Sequence, residues 1–213
     1  MNKKLTLPQT IIITLFCIMM ILAIFNMPQL GIFSIGVSAL FVVIATLSDS
    51  KGIFISIAMV ILGLVLFIKP IYIFDICLNF IIPGIIIGMI TKNVLNHRED
   101  NKYNPIFMGT IAFIIGLIAN YLVSKYLFNI NMLEEFTSVM KTQLSTQISA
   151  IQESVSSLAS VSNITEESII QTVLNIMPLI LFSRSIMLSI LTYFLAIYTL
   201  KKIRKNIKNL LIK

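Results

Sequence analysis

The sequence predicts an all-α membrane protein, a bundle of about six transmembrane helices with an amphipathic helical segment outside the membrane. Three observations indicate this class. Of the 213 residues, 57% are hydrophobic and only 12% are charged, whereas a soluble domain carries roughly 25% charged residues. Apolar runs long enough to cross a bilayer follow one another along the chain. The stretch 129–172 differs from them, because it is rich in Ser, Thr and Gln.

The low charge excludes an ordinary soluble domain, a disordered chain and a nucleic-acid-binding module. Nucleic acid is therefore not expected as a partner, and the lipid bilayer is. The net charge of +7 is informative only by position, because membrane proteins sort positive charge to one side. Cys17 and Cys77 both lie in apolar runs, so they predict no disulfide framework.

Six spans are predicted because a helix needs about 20 apolar residues to cross a hydrocarbon core of ~30 Å. Turn-forming residues near Pro28 separate the first two, and Pro70 ends the third. Lys3 and Lys4 precede the first run as in a signal peptide, but no small-residue cleavage site follows, so an uncleaved helix is predicted. The spans lie near 10–27, 31–48, 52–68, 71–90, 103–124 and 171–200.

The basic residues predict the orientation of these spans. With the N-terminus inside, 12 of the 16 Lys and Arg residues fall on inner segments. The positive-inside rule then places both termini in the cytoplasm. A multi-pass protein of the cell membrane is the expected location.

The chain is predicted to have three regions. Residues 1–128 form a five-span membrane region, 129–172 an extracytoplasmic amphipathic helical insertion, and 173–213 the last span with a basic cytoplasmic tail. Within the insertion, apolar residues recur every three or four positions, which predicts a helix over 132–160 and a fresh helix start at 163–166. Two interpretations stay open: a connector lying on the outer surface, or a helix that docks a partner or ligand.

No catalytic pattern is present in the sequence. It has no glycine-rich phosphate loop and no nucleophile motif, and one His with two intramembrane Cys does not assemble a zinc site. We therefore expect no enzymatic activity, no metal and no cofactor. Energy for any transport would have to come from another subunit or an ion gradient.

Two charges inside spans are the most informative residues. A charge at mid-bilayer costs from ~2.5 kcal/mol upward, so Asp75 and Arg184 are expected to face a partner charge or a cavity. Both lie toward the outer side, and we hypothesise that they meet or line one outward-facing polar cavity. The alternative is that each separately reaches the outer interface. The predicted ligand-binding residues are Asp75, Asn79, Arg184, Ser183 and Ser185.

Small residues four apart predict close helix packing. Gly84 and Gly88 form one such pair, and Ala112 and Gly116 form another. Small side chains let two helices approach without lipid between them. Packing within the bundle is the favoured interpretation, and a subunit interface is the alternative.

The C-terminal tail alternates basic and apolar residues. Each basic residue near an anionic leaflet contributes ~1 kcal/mol to membrane binding. An interfacial helix is therefore predicted, with contact to a cytoplasmic partner as the alternative. The residues expected to contact lipid headgroups are Lys201, Lys202, Arg204, Lys205 and Lys208.

Several stretches resemble the YybS-like family, the domain-of-unknown-function family 2232. They are the stretch from Ile82-Pro83-Gly84 to Tyr121, the Leu133-Glu134-Glu135 start of the insertion, and the last span from Met177-Pro178 to Lys202. The resemblance covers about 35–205. It implies a bacterial inner-membrane protein of undefined activity.

That family is distantly similar to the S components of energy-coupling-factor transporters, six-helix proteins that bind a vitamin or metal ion. This implies a solute-binding transport subunit without its own ATPase, with a separate transmembrane subunit as its partner. The alternative is a structural or scaffold membrane protein that recruits an extracytoplasmic protein through its outer amphipathic helix.

Overall fold

The computed structural model describes residues 5–96, 101–154 and 166–210, and every element in these ranges is a helix. The predicted all-α class is confirmed. By its internal contacts the chain divides into two compact units. The first comprises Met1–Asn120 and Arg184–Lys213, and the second comprises Tyr121–Ser183.

The helices follow the predicted spans closely. A 3₁₀ helix over Pro28–Phe33 links the first two, and a π-helix over Cys77–Ile81 joins α4 to α5 without a break. The predicted loop residues 97–100 and the predicted helix start at 163–165 lie outside the described residues. The α-helices are α1 (Leu7–Asn26), α2 (Ser34–Leu47), α3 (Ser50–Val65), α4 (Pro70–Ile76), α5 (Ile82–Asn96), α6 (Asn104–Leu127), α7 (Met132–Ser154) and α8 (Glu166–Leu210).

Five helical stretches in the described chain are long and apolar enough to cross a membrane, which supports a multi-pass bundle. The remaining apolar helix, α3, has 16 residues and is about 24 Å long, shorter than the hydrocarbon core of ~30 Å. The five stretches are Leu7–Asn26, Gln29–Leu47, Pro70–Asn96, Asn104–Leu127 and Glu167–Ile203.

Helix α3 runs parallel to α1 along most of its length. The hydroxyl of Thr14 donates to Ser56 Oγ at 2.9 Å, and Gly63 lies against Ile18 further along both helices. At the far end the rings of Phe25 and Tyr72 meet edge to face, with centroids 5.3 Å apart. Helix α3 therefore lies alongside α1, and the predicted six crossings stay a prediction.

Helix α2 packs along α5, and both run in the same direction. Ser38 Oγ donates to the carbonyl of Phe80 at 2.9 Å, and Thr46 Oγ1 donates to that of Gly88 at 3.2 Å. The contact ends where Lys92 Nζ donates to the carbonyl of Ser48 at 2.8 Å. We call this end of the first unit the Lys92 end and the opposite end, which carries α4, the Asp75 end.

The C-terminal part of α8 joins the first unit at the Lys92 end. Ser189 Oγ donates to the carbonyl of Ile106 in α6 at 2.7 Å, so the two helices run antiparallel there. Leu200 is buried in a core cluster with Leu47 of α2. Exposed lysines gather at this same end, on α3 (Lys51), before α6 (Lys102) and on α8 (Lys201, Lys202).

The second unit contains the amphipathic helix α7. The helix is present as predicted from Met132, and its described part ends at Ser154. Its apolar residues remain accessible: Leu133 is 42% exposed and Val139 is 54% exposed. Together with Leu174 of α8, which belongs to the same unit, α7 lines a shallow cleft.

Candidate functional site

Asp75 and Arg184, the two charges predicted to matter, line one cavity at the Asp75 end of the first unit. Its volume is about 490 Å³, within the range of roughly 300–1,000 Å³ that small-molecule pockets occupy. Ser34 and Tyr72 also line it, and the remaining wall is apolar, made by Ile21, Ile24, Phe25, Gly31, Val37, Ile76 and Phe80.

A π-helical turn shapes the chain beside this cavity. Pro83 has no N–H to donate to the carbonyl of Asn79, and its ring clashes with that carbonyl in a regular α-helix. The preceding N–H, that of Ile82, instead donates to Cys77 five residues back. Such π-turns are rare and often occur at functional sites. The wider turn accommodates Pro83 inside a continuous span and places Asn79 one turn after Asp75.

Two amide side chains hold the Asp75 carboxylate. Asn79 Nδ2 donates to Asp75 Oδ1 at 2.6 Å, and Asn120 Nδ2 of α6 donates to the same oxygen at 2.7 Å. Both asparagines are more than nine-tenths buried. Hydrogen bonds to an ionised acceptor are stronger than neutral ones. Hydrogen bonds from two separate helices therefore fix the position of the Asp75 carboxylate.

The second carboxylate oxygen of Asp75 is left open. No donor among the described residues bonds to Oδ2. This oxygen is not among the buried side-chain atoms without a hydrogen-bond partner, so it is accessible. Because Asp75 lines the cavity, Oδ2 is its accessible acceptor. By contrast, the amide oxygens of Asn79 and Asn120 are buried and receive no hydrogen bond within the described chain, and neither asparagine lines the cavity.

Arg184 faces Asp75 across the cavity without a direct ion pair in the described part of the chain. Its guanidinium is close enough to attract the carboxylate electrostatically, and its side chain is exposed. A buried pair would neutralise both charges at the cost of desolvating them. Here each charge stays available to a third group placed between them.

The structure brings together only part of the predicted site. Asp75 and Arg184 line the cavity, and Asn79 bonds to Asp75 without lining it. Ser185 is buried and does not line the cavity either, and Ser183 is exposed in the second unit. Sequence reasoning missed Asn120. A lone Asn in an apolar span was the available signal, but its partner is known only once α6 is paired with α4. Ligand binding by these residues stays a prediction.

The predicted packing glycines lie where helices cross most closely. A Cβ at Gly84 would come within 2.6 Å of the carbonyl oxygen of Ser38, and one at Gly88 would come within 2.6 Å of the Ala45 Cβ. Gly116 lies against the backbone of Leu78, and Ala112 is buried. Gly109, which the sequence did not single out, packs in the same way against Ile87 and Ser189.

The basic tail continues α8 as far as Leu210 instead of forming a separate helix. Lys201 and Lys202 are exposed. The side chains of Arg204, Lys205 and Lys208 lie outside the described part of the structure, so their predicted contact with lipid headgroups stays a prediction. Among the described residues no group of three or more His, Cys, Asp or Glu could hold a metal ion.

Comparison with known proteins identifies a family. No curated protein matches the chain, and no solved structure matches it. The family described as predicted membrane protein (DUF2232) matches residues 14–211, which is nearly the whole length and includes every described residue of the cavity. The chain therefore belongs to the DUF2232 family of membrane proteins, as the YybS-like resemblance predicted.

Proposed function

We propose that this protein binds a small solute in the cavity between Asp75 and Arg184. In this proposal it is a transport subunit similar to an S component, with no enzymatic activity and no ATPase of its own. The observation that carries the proposal is a cavity of solute size lined by two opposite charges, Asp75 and Arg184, which form no direct ion pair in the described chain.

The cost of these charges supports the proposal. Ionisable residues in spanning helices are expensive, and they mark ligand or ion pathways by default. The bundle holds the carboxylate with two buried amides, each from a separate element. A charged side chain that reached the water at the membrane interface would not need these two hydrogen bonds.

The distribution of lysines supports an outward-facing cavity in the cytoplasmic membrane. The Lys92 end carries exposed basic residues from α3, α8 and the segment before α6, and the positive-inside rule assigns such an end to the cytoplasm. Six crossings then place both termini on that side. The cavity lies at the opposite end, so its solute enters from outside.

The partner of such a subunit is a separate transmembrane protein that couples to ATP hydrolysis. The sequence contains no phosphate-binding loop, and in this proposal the energy for releasing the solute therefore comes from outside this chain. The S-component resemblance is what suggests this partner.

A thermal-shift screen of the detergent-purified protein tests the proposal. The panel consists of vitamins, metal ions, nucleobases and amino acids. A ligand at 100 times its Kd stabilises the native state by ~2.7 kcal/mol. We expect at least one ligand to raise the Tm, and we expect Asp75→Asn and Arg184→Gln to abolish that shift.

Lys69→Gln is the matched control. Lys69 is a basic residue at the Asp75 end of the bundle, and it does not line the cavity. It should leave the shift unchanged. A panel without any hit, or a hit that survives both cavity variants, contradicts the proposal.

A second candidate function is a scaffold that recruits an extracytoplasmic protein through α7. The exposed apolar side chains of Leu133, Phe136 and Val139 favour it. A photo-crosslinker at Val139 should then give one discrete adduct in intact cells, while a crosslinker at the exposed Thr142 should give less. Equal labelling at both positions contradicts a specific docking face.

A further inference from the structure

We propose that the solute is a small amphipathic zwitterion, a molecule with one ammonium group, one carboxylate and an apolar body. The ammonium binds Asp75 and the carboxylate binds Arg184. This inference rests on the proposed function and assigns a substrate class to the same cavity. Apolar α-amino acids are the simplest members of the class.

The charges of the cavity select for a zwitterion. Its wall contains one carboxylate and one guanidinium. A solute with a single charge would satisfy one of them and leave the other uncompensated when the ligand displaces water, and an unpaired desolvated charge is costly. A zwitterion compensates both and adds no net charge to the membrane interior.

The hydrogen bonding at Asp75 selects for a donor. Oδ1 already accepts two amide N–H groups, while Oδ2 is open to the cavity. No lysine or arginine hydrogen-bonds to this carboxylate in the described chain, so an N–H group of the ligand takes that place. An ammonium gives a charge-assisted bond, which is the stronger kind.

The chemistry of Arg184 selects for a planar anion. A guanidinium has several N–H donors in a fixed plane and no acceptor, and this geometry matches the two oxygens of a carboxylate. Ser34 and Tyr72 line the same cavity, and their hydroxyls can donate to a carboxylate as well.

The apolar wall selects for a hydrophobic body. Ile21 and Ile24 of α1 face the cavity together with Ile76 and Phe80. Burial of apolar surface there gives roughly 25 cal/mol per Å². A hard divalent cation fits poorly, because such ions take six to eight oxygen ligands and Arg184 would repel one.

Three probes of one shape test the inference without any mutation. Leucine carries both charges, 3-methylbutylamine lacks the carboxylate, and 4-methylpentanoate lacks the ammonium. Binding to the full-length protein in detergent is measured by titration calorimetry, with phenylalanine, phenethylamine and 3-phenylpropanoate as a second set. We expect each amino acid to bind about tenfold more tightly, or better, than either of its single-charge analogues.

Two variants then test which cavity residue binds which charged group of the ligand. Asp75→Asn should weaken leucine at least about tenfold and leave 4-methylpentanoate unchanged, whereas Arg184→Gln should weaken leucine and leave 3-methylbutylamine unchanged. Arg184 is exposed, so its variant is expected to fold even where the Asp75 variant does not. Lys69→Gln again serves as the control.

The outcomes separate the two proposals. If a vitamin, nucleobase or metal ion binds in a manner that depends on Asp75 and Arg184 while neither amino acid does, the zwitterion assignment is wrong and the proposed function stands. An analogue that binds as tightly as its amino acid also overturns the assignment. If nothing in either panel binds, both proposals fall.

Discussion

Helix α2 meets two different surfaces along the broken span formed by α4, the π-turn and α5. Toward the Lys92 end, Gly84 and Gly88 bring the two backbones close, and Thr46 of α2 hydrogen-bonds to the carbonyl of Gly88 across the contact. Toward the Asp75 end, the π-turn widens the helix and a cavity separates the side chains. Because α2 packs closely against α5 only toward the Lys92 end, the charged residue Asp75 at the opposite end lines a cavity.

The buried polar contacts also fall into two kinds, those of hydroxyls packed between helices and those around Asp75. Several buried hydroxyls bond to a carbonyl one turn back in their own helix, as Thr46 does to Val42 at 2.7 Å, so they cost little in an apolar setting. The cluster of Asp75, Asn79 and Asn120 is different because it is centred on a charged group, which receives two side-chain amide donors.

The largest expected effect is the loss of the close contact between α2 and α5. We expect Gly88→Ala to lower the free energy of unfolding by about 2 kcal/mol, because the new Cβ would lie 2.6 Å from that of Ala45 and 2.7 Å from the carbonyl oxygen of Val42. Unfolding by SDS in mixed micelles measures the change.

Gly31→Ala is the matched control for this variant, because a Cβ at Gly31 meets nothing within 4 Å. It should change the stability by less than about 0.5 kcal/mol. Equal losses in the two variants would show that the glycines on α5 are not the close contact described above.

The next effect is at the carboxylate. Asn120→Ala removes one of the two donors to Asp75 Oδ1, and a hydrogen bond to a charged group is worth about 1.5 kcal/mol or more. We expect a loss of that size in the same unfolding measurement. Asn175→Ala is the control, since Asn175 lies on the exposed surface of α8 and accepts only a long bond of 3.4 Å from Gln171. No difference between them would mean that the amide does not hold the carboxylate.

A smaller effect is expected where α1 meets α3. The hydroxyls of Thr14 and Ser56 bond at 2.9 Å, and such interhelical bonds contribute on average about 0.6 kcal/mol within membranes. A double-mutant cycle with Thr14→Ala and Ser56→Ala should give a coupling energy of that size. A coupling of zero would argue against the parallel placement of α3 beside α1, on which the predicted six crossings depend.

The smallest effect is expected on α7, outside the first unit. Val139→Ser should change the free energy of unfolding by less than about 0.5 kcal/mol, because Val139 is 54% exposed. A loss above 1 kcal/mol would indicate that a partner or a second copy covers this face in the purified protein.

The sequence predicted the class and the positions of the apolar helices, and it singled out Asp75 and Arg184, which line one cavity, because a charge in an apolar run is a strong local signal. The pairs at Gly84 and Gly88 were visible for the same reason. Helix pairing is not local, and this is why Asn120, Ser34 and Tyr72 were missed. The choice of Ser183 and Ser185 assumed that nearness along the chain means nearness in the cavity, whereas adjacent residues on a helix point in different directions.

The most direct test of the account compares two serines one turn apart on α2. Ser34 lines the cavity, and Ser38 is fully buried with its hydroxyl bonded to Phe80. Each is replaced by cysteine in a chain that carries Cys17→Ala and Cys77→Ala, and whole cells are treated with a membrane-impermeant thiol reagent. Rapid labelling of Ser34→Cys and none of Ser38→Cys is the predicted result. Equal labelling of the two, or none at Ser34→Cys, would contradict an outward-facing cavity above a closed helix contact.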